Sequence, residues 1–303
     1  MRHRVTVAAL GIVIAAVAAT SVLLVSAGAN SRNIDAFRGL GAWVDVFDYV
    51  PAFIQRPGPP AVTVDTVDDL ALLGSDTLYL QAAIDDPRSK GLLVDRALVG
   101  SVLQRAHELE MTVVAWYYPQ LVEPARDRHR LEALIDFRWH GERFDAIALD
   151  IESRQVPDVA ERNKRVVALA RQARKQARHR AIGAIVYPAV QMEVVNPALW
   201  PDFPYRKLAR HLDVWMPMAY WTYRSDPYRD AFVYTEESIR RLRTNLGDEE
   251  AAVHPIGGLG ALSTPEDYAD LVRAARQVDA LGWSVYDADT TATTAWSVLR
   301  DDR

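Results

Sequence analysis

The sequence predicts a (β/α)8 TIM barrel: one α/β domain behind an N-terminal hydrophobic leader. Two observations carry that expectation. Short apolar strand patterns alternate with longer helical ones at the spacing of parallel βαβ units, and eight strands can be counted along the chain. Eight such units close into a barrel whose functional residues sit at the C-terminal strand ends. An open doubly wound sheet is the alternative, but no glycine-rich phosphate loop follows the first strand.

Strands are expected at "LGAWVDVF" (40–47), "TLYLQAAI" (77–84), "TVVAWYY" (112–118) and "FDAIALDI" (144–151). They continue at "IGAIVY" (182–187), "VWMPMAY" (214–220), "AVHPIGG" (252–258) and "LGWSVY" (281–286). Helical patterns lie between them, among others at 95–110, 159–180 and 264–278. The last opens with Thr264, has Pro265 in its first turn and sets Asp267 in capping-box position. The proline-containing stretches 55–60 and 196–204 read as rim loops, and no internal repeat divides residues 30–303, which are expected to form one domain.

Residues 1–29 are different. A positive head, "MRHR", precedes a run from Val5 to Ala29 without a single charge. Its length is about that of a membrane span, roughly 20 residues. Ala27-Gly28-Ala29 fits a small-x-small cleavage site. The segment is expected to be a cleaved signal peptide or an uncleaved anchor, with a possible membrane tether through residues 5–27. Either form makes the barrel extracytoplasmic, secreted or membrane-anchored.

Half of the 303 residues are hydrophobic, enough for a sizeable core without disorder. A net charge of −5 argues against nucleic acid as a partner. The basic run "RQARKQARHR" (171–180) lacks an aromatic platform and reads as the solvated end of a helix, where positive charge suits the C-terminus. Cysteine is absent, which removes disulfides, thiol catalysis and thiolate metal sites. Seven histidines show no paired ligand spacing, so no metal or other cofactor is expected. His254 reads as a satisfied barrel histidine, and Met216 and Met218 as barrel filling. Oligomeric state leaves no mark in the pattern.

The chemistry is expected at "FDAIALDIE" (144–152). Alternate strand residues share a face, so Ala146, Ala148, Asp150 and Glu152 line one side, small first and acidic last. A strand packed on both faces should stay apolar throughout. Two carboxyl groups at its end therefore point to function. Strand ends of a barrel face the site, and the first three strands offer Trp43 and Asp45, Tyr79 and Gln81, and Trp116 and Tyr118.

The fourth-strand stretch resembles a signature of the chitinase-like glycoside hydrolases of family 18, DxxDxDxE, commonly FDGIDLDWE. Phe144, Asp145, Ile147, Leu149, Asp150 and Glu152 keep the pattern, while Ala146 replaces the glycine and Ala148 the middle aspartate. "MPMAYWTY" (216–223) is similar to the family's sixth-strand MxY element through Met218 and Tyr220, with Trp221 where an aspartate usually follows. "GWSVYDAD" (282–289) resembles the eighth-strand end, with Tyr286 at the position of a sugar-stacking tryptophan.

The resemblance implies a divergent retaining glycosidase acting on a glycan, with N-acetylhexosamine-containing glycans the expected class, in the substrate-assisted manner. Glu152 would be the acid and then the base. Asp150 would hold the acetamido N–H and raise the proton affinity of Glu152. Tyr220 would donate to the acetamido oxygen. Trp43, Asp45, Tyr79, Gln81, Trp116, Tyr118, Trp221 and Tyr286 would contact the carbohydrate. Ala148 removes a support for Asp150, and the short connection between strands seven and eight leaves no room for a groove-deepening insertion. The alternative reading is a catalytically weak or inactive carbohydrate-binding barrel, for which Ala148 and Trp221 are the evidence. A third reading makes the acids metal ligands of a phosphodiesterase-like site, which the lack of a histidine pair disfavours.

Overall fold

A computed structural model of the chain describes residues 32–301. The leader, with its expected cleavage site or tether, lies outside the described residues. Eight strands form the barrel: β1 Gly39–Val44, β2 Thr77–Ala83, β3 Thr112–Tyr117, β4 Ala146–Ile151, β5 Ile182–Val186, β6 Val214–Ala219, β7 Ile256–Leu259 and β8 Gly282–Tyr286. All pair in parallel and in chain order, and β1 closes the barrel against β8 with Gly41 opposite Ser284.

Every expected strand appears, with two clear differences: β1 ends early, since Asp45 caps a helix that takes Val46 and Phe47, and β7 starts late. Residues 252–255 stay outside it apart from a single bridge between Trp215 and Val253. Pro255 has no N–H to give to a ladder, so regular pairing begins after it.

Nine α-helices lie among the described residues: α1 Val46–Tyr49, α2 Thr66–Leu72, α3 Arg96–Glu108, α4 Pro124–Ile135, α5 Val159–Ala177, α6 Tyr205–Leu208, α7 Ala231–Leu246, α8 Pro265–Gln277 and α9 Thr293–Asp301. Local sequence sets their starts. Asp95, Asp158 and Asp230 each accept a backbone N–H at the openings of α3, α5 and α7, and Thr264 with Asp267 forms the expected capping box of α8. Among the described residues no helix is long and apolar enough to cross a membrane.

Strand alternation divides the core into two bodies. Ile147, Leu149 and Ile151 of β4 join the layer between strands and helices, whereas Ala146 and Ala148 face the barrel interior with Phe37, Tyr79, Trp116 and Met216. The interior is filled from below. His254, fully buried, faces the Phe37 carbonyl with Nδ1 at 2.8 Å and the Tyr79 hydroxyl with Nε2 at 3.4 Å. Burial lowers its pKa to about 4, so it is neutral. Trp43 stacks on Tyr79 with centroids 4.5 Å apart and donates its indole N–H to Ser284 Oγ at 2.8 Å. Above this floor the barrel opens.

The seam between β8 and β1 admits no side chain at Gly282, because a Cβ there would stand 2.0 Å from the Gly39 carbonyl oxygen. Gly282→Ala is therefore expected to lower stability by at least about 2 kcal/mol in urea denaturation. An unchanged midpoint would mean that the barrel is not held closed at this seam.

Candidate active site

A cavity of about 310 Å³ opens above the aromatic floor, at the C-terminal ends of the strands. Of the side chains singled out in the sequence, Trp43, Asp45, Gln81, Trp116, Tyr118, Asp150, Glu152, Tyr220 and Tyr286 line it. Their common origin is register. Each is an interior-facing position at or just past the end of its strand, so closing the barrel brings them together.

Asp150 and Glu152 stand two residues apart on one face of β4, roughly 6.6 Å along an extended chain. Asp150 is only 7% exposed, and its Oδ1 is buried without a hydrogen-bond partner. Its pKa lies well above the ordinary carboxylate range, through burial first and the charge of Glu152 second. Burial also raises Glu152, opposed by the positive charge of Arg154. The two groups thus resist joint ionisation. The Tyr187 hydroxyl donates to the Glu152 backbone carbonyl at 3.1 Å and ties the end of β4 to that of β5. Burial and then the charges of Glu152 and Asp150 hold the Tyr220 phenol protonated.

The opposite wall comes from β1 and β8. The Tyr286 hydroxyl donates to Asp45 Oδ2 at 2.6 Å, and Asp45 Oδ1 accepts the Phe47 N–H at 2.7 Å. Asp45 is the cap of α1, and Asp48 completes the capping box by accepting the Asp45 N–H at 3.1 Å. The carboxylates of Asp45, Asp48 and Asp287 offer atoms within 4.8 Å of one another, the one such group among the described residues with the spacing to hold a cation. Burial first and the charge of Asp45 second push Asp48 up to about 8. Gln81 holds this loop in place: its Oε1 accepts the Val46 N–H at 3.0 Å and its carbonyl accepts the Tyr49 hydroxyl at 2.8 Å.

Two expected contacts do not reach the cavity. Tyr79 shares a face with Gln81 but sits one layer lower, fully buried under Trp43 with its hydroxyl turned to His254. It supports the floor. Trp221 opens the 3-10 turn Trp221–Tyr223 that follows β6 and is fully buried, edge-on to Tyr268 of α8 at 6.4 Å. Phe47, Ile84, Ile185, Met218 and Ile256 also line the cavity and were not expected there. Asp48 was missed too, although its place three residues after Asp45 is a capping-box spacing visible in the sequence.

No protein-family model and no curated protein sequence matches the chain. Solved structures share its fold. The spore cortex-lytic enzyme SleL of Bacillus megaterium QM B1551 superposes with a TM-score of 0.61 at 9% identity, over 88% of this chain and 74% of that one. The family GH18 chitinase of Cycas revoluta, in complex with allosamidin, gives 0.60 at 11% identity over 87% and 99%. The glycoside hydrolase domain of PgaB (BpsB) from Bordetella bronchiseptica gives 0.57 at 13% identity over 84% and 94%. The fold expected from the sequence resemblance is thus the fold of chitinases and related glycoside hydrolase domains.

Asp48 provides a test of the loop electrostatics. Its folded pKa is raised, so the folded state holds its proton more tightly than the unfolded chain does. Stability from this group is full below the unfolded value, near 4, and declines as pH rises towards about 8. Asp48→Asn should flatten that decline, making the variant more stable than the wild type at pH 8 by a few kcal/mol, on the order of the shift. Parallel slopes of denaturation midpoint against pH in the two proteins would refute the assignment.

Proposed function

We propose that the protein is a retaining glycoside hydrolase acting on a glycan that contains N-acetylhexosamine, and a divergent relative of the family 18 chitinases. One observation carries the reading: a buried and a half-buried carboxyl group two residues apart at a strand end, kept from joint ionisation, at the mouth of a cavity walled by Trp43, Trp116, Tyr118 and Tyr286. The motif match at β4, β6 and β8 supports it. So does the fold shared with a chitinase solved with (GlcNAc)3.

The residues divide the chemistry as follows. Glu152, whose pKa burial raises, gives its proton to the glycosidic oxygen as the bond to the anomeric carbon breaks. The acetamido oxygen of the same sugar attacks that carbon, and Asp150 accepts the acetamido N–H with the oxygen that has no protein partner. The Tyr220 hydroxyl donates to the acetamido oxygen. Water then opens the cyclic intermediate while Glu152 takes its proton, so the product keeps its anomeric configuration. The aromatic walls receive sugar faces, and residues 1–29 export the barrel or tether it outside the cytoplasm.

The rival reading, a carbohydrate-binding barrel without catalysis, draws on position 148. Ala148 leaves Asp150 Oδ1 without a neighbour to share its proton. A panel of fluorogenic glycosides and N-acetylglucosamine oligomers separates the two. The barrel should cleave at least one, Glu152→Gln should lose about 10²–10⁴ in kcat, and a thiazoline mimic of the intermediate should inhibit. Oligosaccharide bound tightly and left intact by wild type and Glu152→Gln alike would favour the rival.

A further inference from the structure

The end of the barrel away from the cavity carries a larger groove, of about 890 Å³. Its walls come from the starts of β4 and β5. Arg138 and Arg143 stand on the connection before β4, and Lys175, Arg178 and Arg180 on the end of α5 and the connection before β5. The basic run at 171–180 is therefore more than a solvated helix end, because the barrel sets two further arginines against it. Arg138, Arg143, Lys175 and Arg178 are exposed. Arg138 donates to the Phe137 carbonyl at 2.7 Å, and Arg180 donates to the Ile135 and Phe144 carbonyls. Among the described residues, none of the five forms an ion pair.

The acids in the same walls are already engaged. Asp35 pairs with Arg38 at 3.0 Å, and Asp136 accepts from Gln176 at 2.7 Å. Asp145 accepts the Val113 N–H at 2.7 Å and faces His107 at 3.1 Å. The cations thus outnumber the acids of these walls five to three. Arg180 is held below the usual guanidinium value, by burial first and then by Arg138 and Arg143, against the charge of Asp136. In a chain of net charge −5, such a face is an exception that needs an anionic partner.

The chain itself indicates which partner. Asn33 and Asp35 belong to the walls of this groove, and Asn33 follows by four residues Ala29, where the uncharged run of the leader ends. The described chain thus begins at the basic face of the barrel. The walls contain no Trp, Tyr or Phe, and His179 is their one ring, so they offer little stacking platform for bases. Guanidinium forks suit phosphate oxygens.

We propose that this groove is a membrane-docking surface for the phosphate groups of anionic lipids, and that it turns the mouth holding Asp150 and Glu152 away from the bilayer. A single anchoring segment limits distance without fixing tilt; a basic face engaged with headgroups fixes the tilt. The proposal rests on the tethered form of the protein and does not depend on glycan cleavage.

The test uses residues 30–303, whose strands and core are complete within one compact unit. Flotation is measured with vesicles of phosphatidylcholine alone and with vesicles that also contain phosphatidylglycerol. Binding should appear only with the anionic vesicles and weaken as salt is added. Each basic side chain near an anionic surface contributes about fivefold, so Arg143→Ala with Arg178→Ala should lower partitioning roughly 25-fold. Arg88→Ala with Arg229→Ala, at the mouth end, should leave it unchanged. Both pairs are surface substitutions whose folding circular dichroism verifies. No binding to anionic vesicles, equal binding to neutral ones, or indifference to the groove pair would overturn the proposal, as would tighter binding to an RNA oligonucleotide. Fractionation of the full chain reads the tether separately. A full chain that fractionates as soluble would overturn the orienting role proposed for the groove.

Discussion

Eight parallel strands closed into a barrel must send every second side chain into an interior that holds almost no water. That constraint determines the rest. Most interior positions meet it with apolar groups, and β4 meets it with Ala146 and Ala148 before spending its last two inward positions on Asp150 and Glu152. The small residues there answer large ones nearby. Trp116 pairs in register with Ala148, which pairs in turn with Gly183, and a Cβ at Gly183 would come within 2.8 Å of the Phe37 ring. Position 148 therefore looks onto a space filled by Phe37 and Met216, with no polar atom to offer Asp150. The missing middle aspartate of the motif and the unpartnered Asp150 oxygen are one fact seen from sequence and from packing.

The closure seam and the cavity wall are also one structure. Between β1 and β8 the contacts rise in layers: Gly39 against Gly282, then Trp43 donating to Ser284, then Tyr286 donating to Asp45. The lowest layer tolerates no side chain and the highest lines the cavity. Asp45 belongs to the seam, to the cap of α1 and to the cavity, so strain at any of these reaches the other two. Asp48, buried beside it and raised to about 8, keeps a proton at neutral pH and so spares the loop a second full charge.

What could be read in advance followed the period of two. Alternation placed Asp150, Glu152, Trp43, Asp45, Trp116 and Tyr118 on inward faces, and all of them line the cavity. Depth was not legible. Tyr79 has the right face and the wrong layer, because strand tilt decides which inward residue lies at the rim and which in the floor. Trp221 was misplaced because the motif aligned it by family position, whereas β6 ends at Ala219 and the next inward residue is Tyr220. The basic groove was equally hidden: Arg138 and Arg143 lie over 30 residues before Lys175 and Arg178, and only the pairing of β4 with β5 brings their connections together.

The size of the cavity bears on how the proposed reaction would be driven. About 310 Å³ lies at the low end of small-molecule sites, roughly 300–1,000 Å³. The connection from β7 to β8 holds only a short turn and α8, so no second wall rises on that side. On the glycosidase reading, contacts with the sugar nearest Asp150 and Glu152 must supply most of the binding that is realised in the transition state, since few remote subsites exist to share it. Outlying sugars would meet only rim side chains such as Phe47, which is 39% exposed. Lengthening the oligosaccharide would then change kcat/KM little, and changing the N-acetyl group of the central sugar would change it greatly, because that group would meet the buried Asp150 oxygen that the protein leaves unbonded.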